Sequence, residues 1–321
     1  MKPLLQCCCL AALAGLLGCG DSMIKHSTSD SSQATPVASA KITIPVPVAT
    51  SNKTIKDDKD LTGYWVGAFR ADSAESVMRY EDDDSWGNTN KINISIDTVS
   101  GNKVSGHSIV AGNFRPFTGT VERTASSYRF LTKEPGDDKY DGVFTFSIGV
   151  GDSVLIGSWK ANNQVKTPVR YYNLTKRSFR YDPDIQVENH RYADTNKQKA
   201  VTYKDDDGKE YSDTEYAMST VDFSEYNGSN RLLKPSQVAN LKAADLLIIR
   251  NSIFARHGYS FKKPAIRAFF DPQPWYIPVS TDVTSMLTRL EKQNITLLLR
   301  YEKNAKQYYD TGAIQIVACN L

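Results

Sequence analysis

The sequence predicts an α+β, multidomain protein, with an N-terminal antiparallel β-barrel of about eight strands and a small helical domain toward the C-terminal end. Three observations carry that prediction. Residues 61–176 alternate apolar and polar side chains in short runs divided by Gly-Asn, Pro-Gly and Gly-Asp turn signals, the pattern of half-buried antiparallel strands. Beyond residue 230 the apolar positions recur at helical spacing. Residues 20–58 show neither period and are rich in Ser, Thr, Lys, Ala and Pro, a composition that buries too little apolar surface to offset the entropy of ordering.

The first element is an export signal, residues 1–18. Met1-Lys2 gives a positive start, an apolar run spans Leu10–Leu17, and the run ends at Leu16-Leu17-Gly18-Cys19, the layout of a cleaved secretory signal. The run is well short of the roughly 18–20 residues that span a bilayer. Leu-Leu-Gly-Cys resembles a lipobox. That resemblance implies that Cys19 is lipidated, becomes the first residue of the mature chain and anchors it to a membrane, each buried methylene contributing about 0.8 kcal/mol. Gram-negative lipoproteins held in the inner membrane tend to carry Asp in the next position, so Gly20 points to the outer membrane if the host is Gram-negative. Residues 19–58 are then the lipidated Cys and a flexible tether.

Cysteine and charge narrow the classes further. Cys7, Cys8 and Cys9 leave with the signal, Cys19 is modified, and Cys319 alone remains, so no internal disulfide supports the fold although the compartment is oxidising. Cys319 reads as a small packed apolar residue. The whole chain has 39 Lys and Arg against 36 Asp and Glu, but residues 231–306 hold 13 against 5, leaving 26 against 31 elsewhere. A basic C-terminal domain suits an anionic polymer. Outside the cell that excludes nucleic acid and favours peptidoglycan or another envelope glycan.

The barrel is assigned to residues 59–177. Ile92, Ile94 and Ile96 share one face, as do Tyr128, Phe130 and Thr132, and Phe144, Phe146 and Ile148. Strands are expected to start near Tyr64, Ile92, Val104, Phe114, Ser127, Val143, Val154 and Val169. The opening Gly63-Tyr64-Trp65 resembles the Gly-x-Trp start of lipocalin and avidin-like barrels, where the Trp plugs one end. Trp159 is a second plug residue by the same likeness. A barrel of this size holds one small ligand or fills with its own side chains, and the many inward aromatics point to filling. Residues 178–230 read as a polar connecting segment with a hairpin about Asp205-Asp206-Asp207-Gly208, since Asp-Gly between alternating runs favours a tight turn. That loop lacks the longer spacing and terminal Glu of a calcium loop, and the run Glu81-Asp82-Asp83-Asp84 reads as an exposed loop rather than a metal site.

The helical domain is assigned to residues 231–306, followed by a C-terminal tail, 307–321. A helix is expected to run through Leu246 to His257 with Gly258 as its C-terminal cap. A second is expected from Thr281, capped by Ser280 or Thr281, with Met286, Leu287, Leu290, Leu297, Leu298 and Tyr301 as its apolar stripe. Pro272, Pro274 and Pro278 break the stretch between them.

Arg250-Asn251-Ser252-Ile253-Phe254-Ala255-Arg256-His257-Gly258-Tyr259 resembles the signature of the YARHG domain. Trp275-Tyr276-x-Pro278 and Glu291-Lys292-x-Asn294 continue the likeness over about residues 235–304. One departure is visible: Phe254 stands where the motif's naming Tyr is expected, so a role needing the hydroxyl is in doubt while packing survives. The resemblance implies an extracytoplasmic envelope protein and gives no chemistry. The residues themselves have readings. His257 caps the helix end or acts as a base or ligand. Arg250, Asn251 and Arg256 bind an anion, or hold the Trp275-Tyr276 loop with Glu291 as ion partner. A Trp-Tyr pair near Arg also suits a sugar ring.

No nucleophile elbow, phosphate loop, dinucleotide fingerprint or zinc spacing is present, and no cofactor is expected. The leading expectation is a membrane-anchored, non-catalytic envelope lipoprotein with two interaction modules that binds peptidoglycan or another anionic polymer. A small apolar ligand carrier and an envelope hydrolase, or accessory to a peptidase, are the alternatives. Oligomeric state is not legible.

Overall fold

The computed structural model describes residues 58–71, 89–188 and 190–308, all within one compact unit. The export signal, Cys19, most of the tether, the acidic run at 81–84, the tail beyond Tyr308 and Cys319 lie outside the described residues.

A single helical turn, α1 (Asp58–Leu61), leads into eight strands: β1 (Gly63–Ala71), β2 (Thr89–Ser100), β3 (Lys103–Val110), β4 (Asn113–Arg123), β5 (Ser127–Lys133), β6 (Gly142–Gly149), β7 (Val154–Ala161) and β8 (Val169–Arg177). Each pairs antiparallel with the next, and β8 returns to β1, closing the barrel. All eight strands begin within a few residues of the positions predicted from alternation. The inward residues Trp65, Phe69, Ile92, Ile94, Ile96, Phe117, Phe130, Phe144, Phe146, Leu155, Trp159 and Tyr172 pack as one buried cluster. The Trp65 indole N–H donates to the Leu61 carbonyl at 3.0 Å, tying α1 across one end. Trp159 donates to the buried Glu134 carboxylate at 3.0 Å.

Beyond the barrel, an irregular strap, residues 178–188, reaches a two-stranded hairpin, β9 (Ala193–Lys204) and β10 (Glu210–Met218). Its turn falls at Asp205–Gly208, with Gly208 at φ 80°. The helices follow: α2 (Pro235–Val238), α3 (Ala243–Arg256), α4 (Pro264–Phe270) and α5 (Arg289–Tyr308). The short α4, begun by Pro264, was not anticipated. α3 and α5 pack together over an apolar core that includes Leu246, Ile249, Ile253, Phe270, Tyr276 and Leu298.

The predicted start of the last helix at Thr281 is corrected. Asp282 accepts the Thr284 N–H at 2.8 Å, a local turn that closes one 3-10 turn, Thr284–Met286, and then stops. The true start is a capping box. Thr288 Oγ1 accepts the Glu291 N–H at 3.2 Å, and Glu291 accepts the Thr288 N–H at 2.8 Å. Thr288→Ala is therefore expected to lower stability by about 1 kcal/mol, whereas exposed Thr281→Ala should stay within about 0.5 kcal/mol; thermal melts of the two variants check this.

Barrel and helical region meet along a continuous seam. Val66, Asn93 and Ile109 lie side by side on β1, β2 and β3 and alternate with inward neighbours, so they face out of the barrel. All three are nevertheless buried, and the Asn93 amide donates to the Pro278 carbonyl at 2.9 Å. Lys91 donates through Nζ to the Gln273 and Tyr276 carbonyls at 2.8 and 3.0 Å, and through its backbone to Asp271 at 2.9 Å. The Gly112 N–H donates to Ser260 at 2.9 Å. Gly112 has φ +74°, and a Cβ there would lie 2.2 Å from the Lys262 side chain, so this tip requires glycine twice over.

Candidate functional site

The motif segment ends α3 in a Schellman cap. His257 is the cap residue, and Gly258 follows at φ +75°. The Gly258 N–H donates to the Ala255 carbonyl at 2.9 Å and the Tyr259 N–H to that of Phe254 at 3.1 Å. The apolar contact that accompanies this motif is made by Phe254 and Tyr259, with ring centroids 6.0 Å apart. A phenyl ring meets that requirement, which accounts for Phe254 in the motif's Tyr position.

His257 is 2 % and Glu291 0 % exposed. The His257 Nε2 lies 3.0 and 2.9 Å from the two Glu291 oxygens; it carries the proton, because a carboxylate only accepts. Tyr181 of the strap stacks on His257, centroids 4.1 Å apart, and donates to Glu291 at 3.1 Å. Burial alone would raise the Glu291 carboxyl, but the bonds from His257 and the Thr288 N–H outweigh it and hold the group at about 2. Burial and the Glu291 charge push the Tyr181 phenol up to about 12.

Glu291 was considered as ion partner of Arg250, Asn251 and Arg256; its partner is instead His257. Arg250 pairs with Glu302 of α5 at 3.0 Å. Asn251 donates to the Leu247 carbonyl at 2.8 Å. Asn294 holds the loop before α2, donating to the Gly228 and Arg231 carbonyls at 2.8 Å and accepting the Leu233 N–H at 2.9 Å. The Tyr276 hydroxyl donates to the Tyr259 carbonyl at 2.7 Å, and the Trp275 indole to Gln273 at 3.0 Å. Gln273 in turn accepts from the Glu188 N–H at 2.9 Å and donates to its carbonyl at 3.1 Å.

Arg256 sits at the centre of this clamp. It is 2 % exposed, and its Nε donates to the Ile185 carbonyl of the strap at 2.9 Å. Its Nη1 is buried with no hydrogen-bond partner among the described residues. An unsatisfied buried donor costs about 1–3 kcal/mol. Burial draws the guanidinium down to about 10, opposed by Tyr181, Glu291, Asp182 and Asp184, so it stays charged at neutral pH. Beside it lies a cavity of about 510 Å³ between strap and helical region, walled by Arg177, Phe179, Arg180, Tyr181, Arg256 and Trp275. Arg256 and Trp275 were singled out in the sequence. Arg177, the last residue of β8, was not, and neither were Arg180 and Tyr181, which lie in a polar segment without periodicity.

The architecture is thus a closed β-barrel joined by a strap to a helical unit whose motif residues grip that strap. Residues 221–303 match the YARHG domain family, starting at 221 rather than 235; the added stretch contributes buried Phe223 and Asn227. Among solved structures, the chain is similar to fatty-acid-binding protein 1 of Echinococcus granulosus, at 13 % identity over 37 % of this chain and 99 % of that one, with a TM-score of 0.22. No curated protein matches.

Proposed function

We propose that this is a lipid-anchored, non-catalytic protein of the cell envelope, outer-membrane in a Gram-negative host, whose helical unit binds peptidoglycan or another anionic glycan. The observation that carries the reading is the sorting of charge on α5. Its two carboxylates, Glu291 and Glu302, are buried against His257 and Arg250. Its Arg289, Lys292, Arg300 and Lys303 are exposed. The outward face is therefore basic, with no neutralising carboxylate paired to it among the described residues, a surface that attracts polyanions. The motif's Glu291 is spent on His257, Thr288 and Tyr181, which supports a binding role over hydrolysis. A carrier role for the barrel would require its packed aromatic interior to rearrange around the ligand.

The test is co-sedimentation of the chain from Gly20 onward with purified sacculi across a salt series. Binding should weaken as salt rises, and R289E/K292E/R300E should abolish it. Salt-insensitive binding, or binding unchanged in that variant, contradicts the reading.

A further inference from the structure

We infer that the cavity beneath the strap is a binding site for a carboxylate-bearing saccharide. The inference deepens the envelope reading by naming the ligand group, and rests on that reading only for the choice of sugar.

The volume, about 510 Å³, falls within the range of small-molecule sites. Three arginines line it, Arg177, Arg180 and Arg256. Arg177 is committed in part to the Pro274 carbonyl, at 2.8 Å. Arg256 is held in place by the Ile185 carbonyl while its Nη1 has no partner among the described residues. A fixed, desolvated arginine with a free N–H matches the planar geometry of a carboxylate. Two further features narrow the ligand. Asp182 and Asp184 also line the cavity; they repel a dianion such as a phosphate monoester but accept hydrogen bonds from hydroxyls. Half-buried Trp275 and Phe179 offer aromatic surface, on which the apolar face of a pyranose packs. A monoanion with hydroxyls and a ring face satisfies all of these groups together.

The experiment is an NMR titration of the 15N-labelled chain from Gly20, following the Trp275 indole and Arg256 Nε signals. The probes are N-acetylmuramic acid and N-acetylglucosamine, which share a ring and differ in the 3-O-lactyl ether that carries the carboxylate. The acid should shift both signals saturably and the neutral sugar should not. R180A, at an exposed position, and R256K should each weaken binding about tenfold. Unshifted Trp65 and Trp159 indole signals will show that the barrel is intact in both variants. Equal shifts from the two sugars, or affinity unchanged in R180A, overturn the assignment. Failure here with sacculus binding intact removes the pocket and leaves the envelope reading; a positive titration with no sacculus binding does the reverse.

Discussion

Glu291→Ala is expected to destabilise the protein by about 3–5 kcal/mol, because it leaves the His257 Nε2–H, the Thr288 N–H and the Tyr181 hydroxyl without their buried acceptor. The melting temperature should fall by roughly 10 °C. The loss is large because one fully buried carboxylate serves three elements: it caps α5 through Thr288, bonds His257 at the end of α3 and accepts from Tyr181 of the strap. Glu291→Gln should cost less, since an amide oxygen still accepts one of these bonds. The pH dependence follows from the sign of the shift. The folded carboxyl lies at about 2 against 4.5 ordinarily. Its contribution, about 3 kcal/mol, is complete above pH 4.5 and is lost as pH falls toward 2. Denaturant melts at pH 7 and pH 3 should show the variant's deficit shrinking at the lower pH; an equal deficit at both would contradict the assignment.

Lys91→Met is expected to cost about 2–4 kcal/mol, because it leaves the Gln273 and Tyr276 carbonyls and the Asp271 carboxylate buried without their cation. Burial lowers the ammonium to about 8, with Asp271 opposing. Burial raises Asp271 to about 6, opposed by the Lys91 backbone bond and charge. Removing the cation raises Asp271 further, so the folded state of the variant takes up a proton more readily than the unfolded state. Its deficit should therefore be largest near pH 8 and smaller near pH 5, and D271N should recover part of it. Hydrogen exchange should quicken first around residues 259–280 and β2 while the barrel interior stays protected. A uniform, pH-independent loss would contradict a seam held by this pair.

The strands were legible because a closed barrel with a packed interior enforces strict alternation: Ile92, Ile94 and Ile96 all point inward. Gly258 was legible because a left-handed cap needs glycine. The seam was not, since Val66, Asn93 and Ile109 occupy positions that alternation assigns to solvent, and only a second body explains their burial. The start of α5 was misread for a local reason. Ser280, Thr281 and Asp282 carry the residue types of a cap, and Asp282 does fold a turn, but the reciprocal Thr288-x-x-Glu291 box lies farther on. The partners of Glu291 and Arg256 were hidden by distance along the chain. His257 lies 34 residues before Glu291, and Ile185 lies 71 residues before Arg256, too far for helical spacing to indicate.

Closure of β1 against β8 has a mechanical consequence. Tyr64 pairs with Arg177 and Ala71 with Arg170, so the chain enters and leaves the barrel at one rim. Under the proposed function, with an anchor ahead of Gly63 and a bound helical unit beyond Arg177, tension would pull these two strands apart from the same end. The ladder is then loaded as a zipper, one residue pair at a time, and yields at lower force than the same bonds sheared together. The Arg177–Pro274 bond braces that rim, so under load it carries strain before the first barrel pair opens, while the Lys91 seam lies farther along, where Lys91 pairs with Ala68.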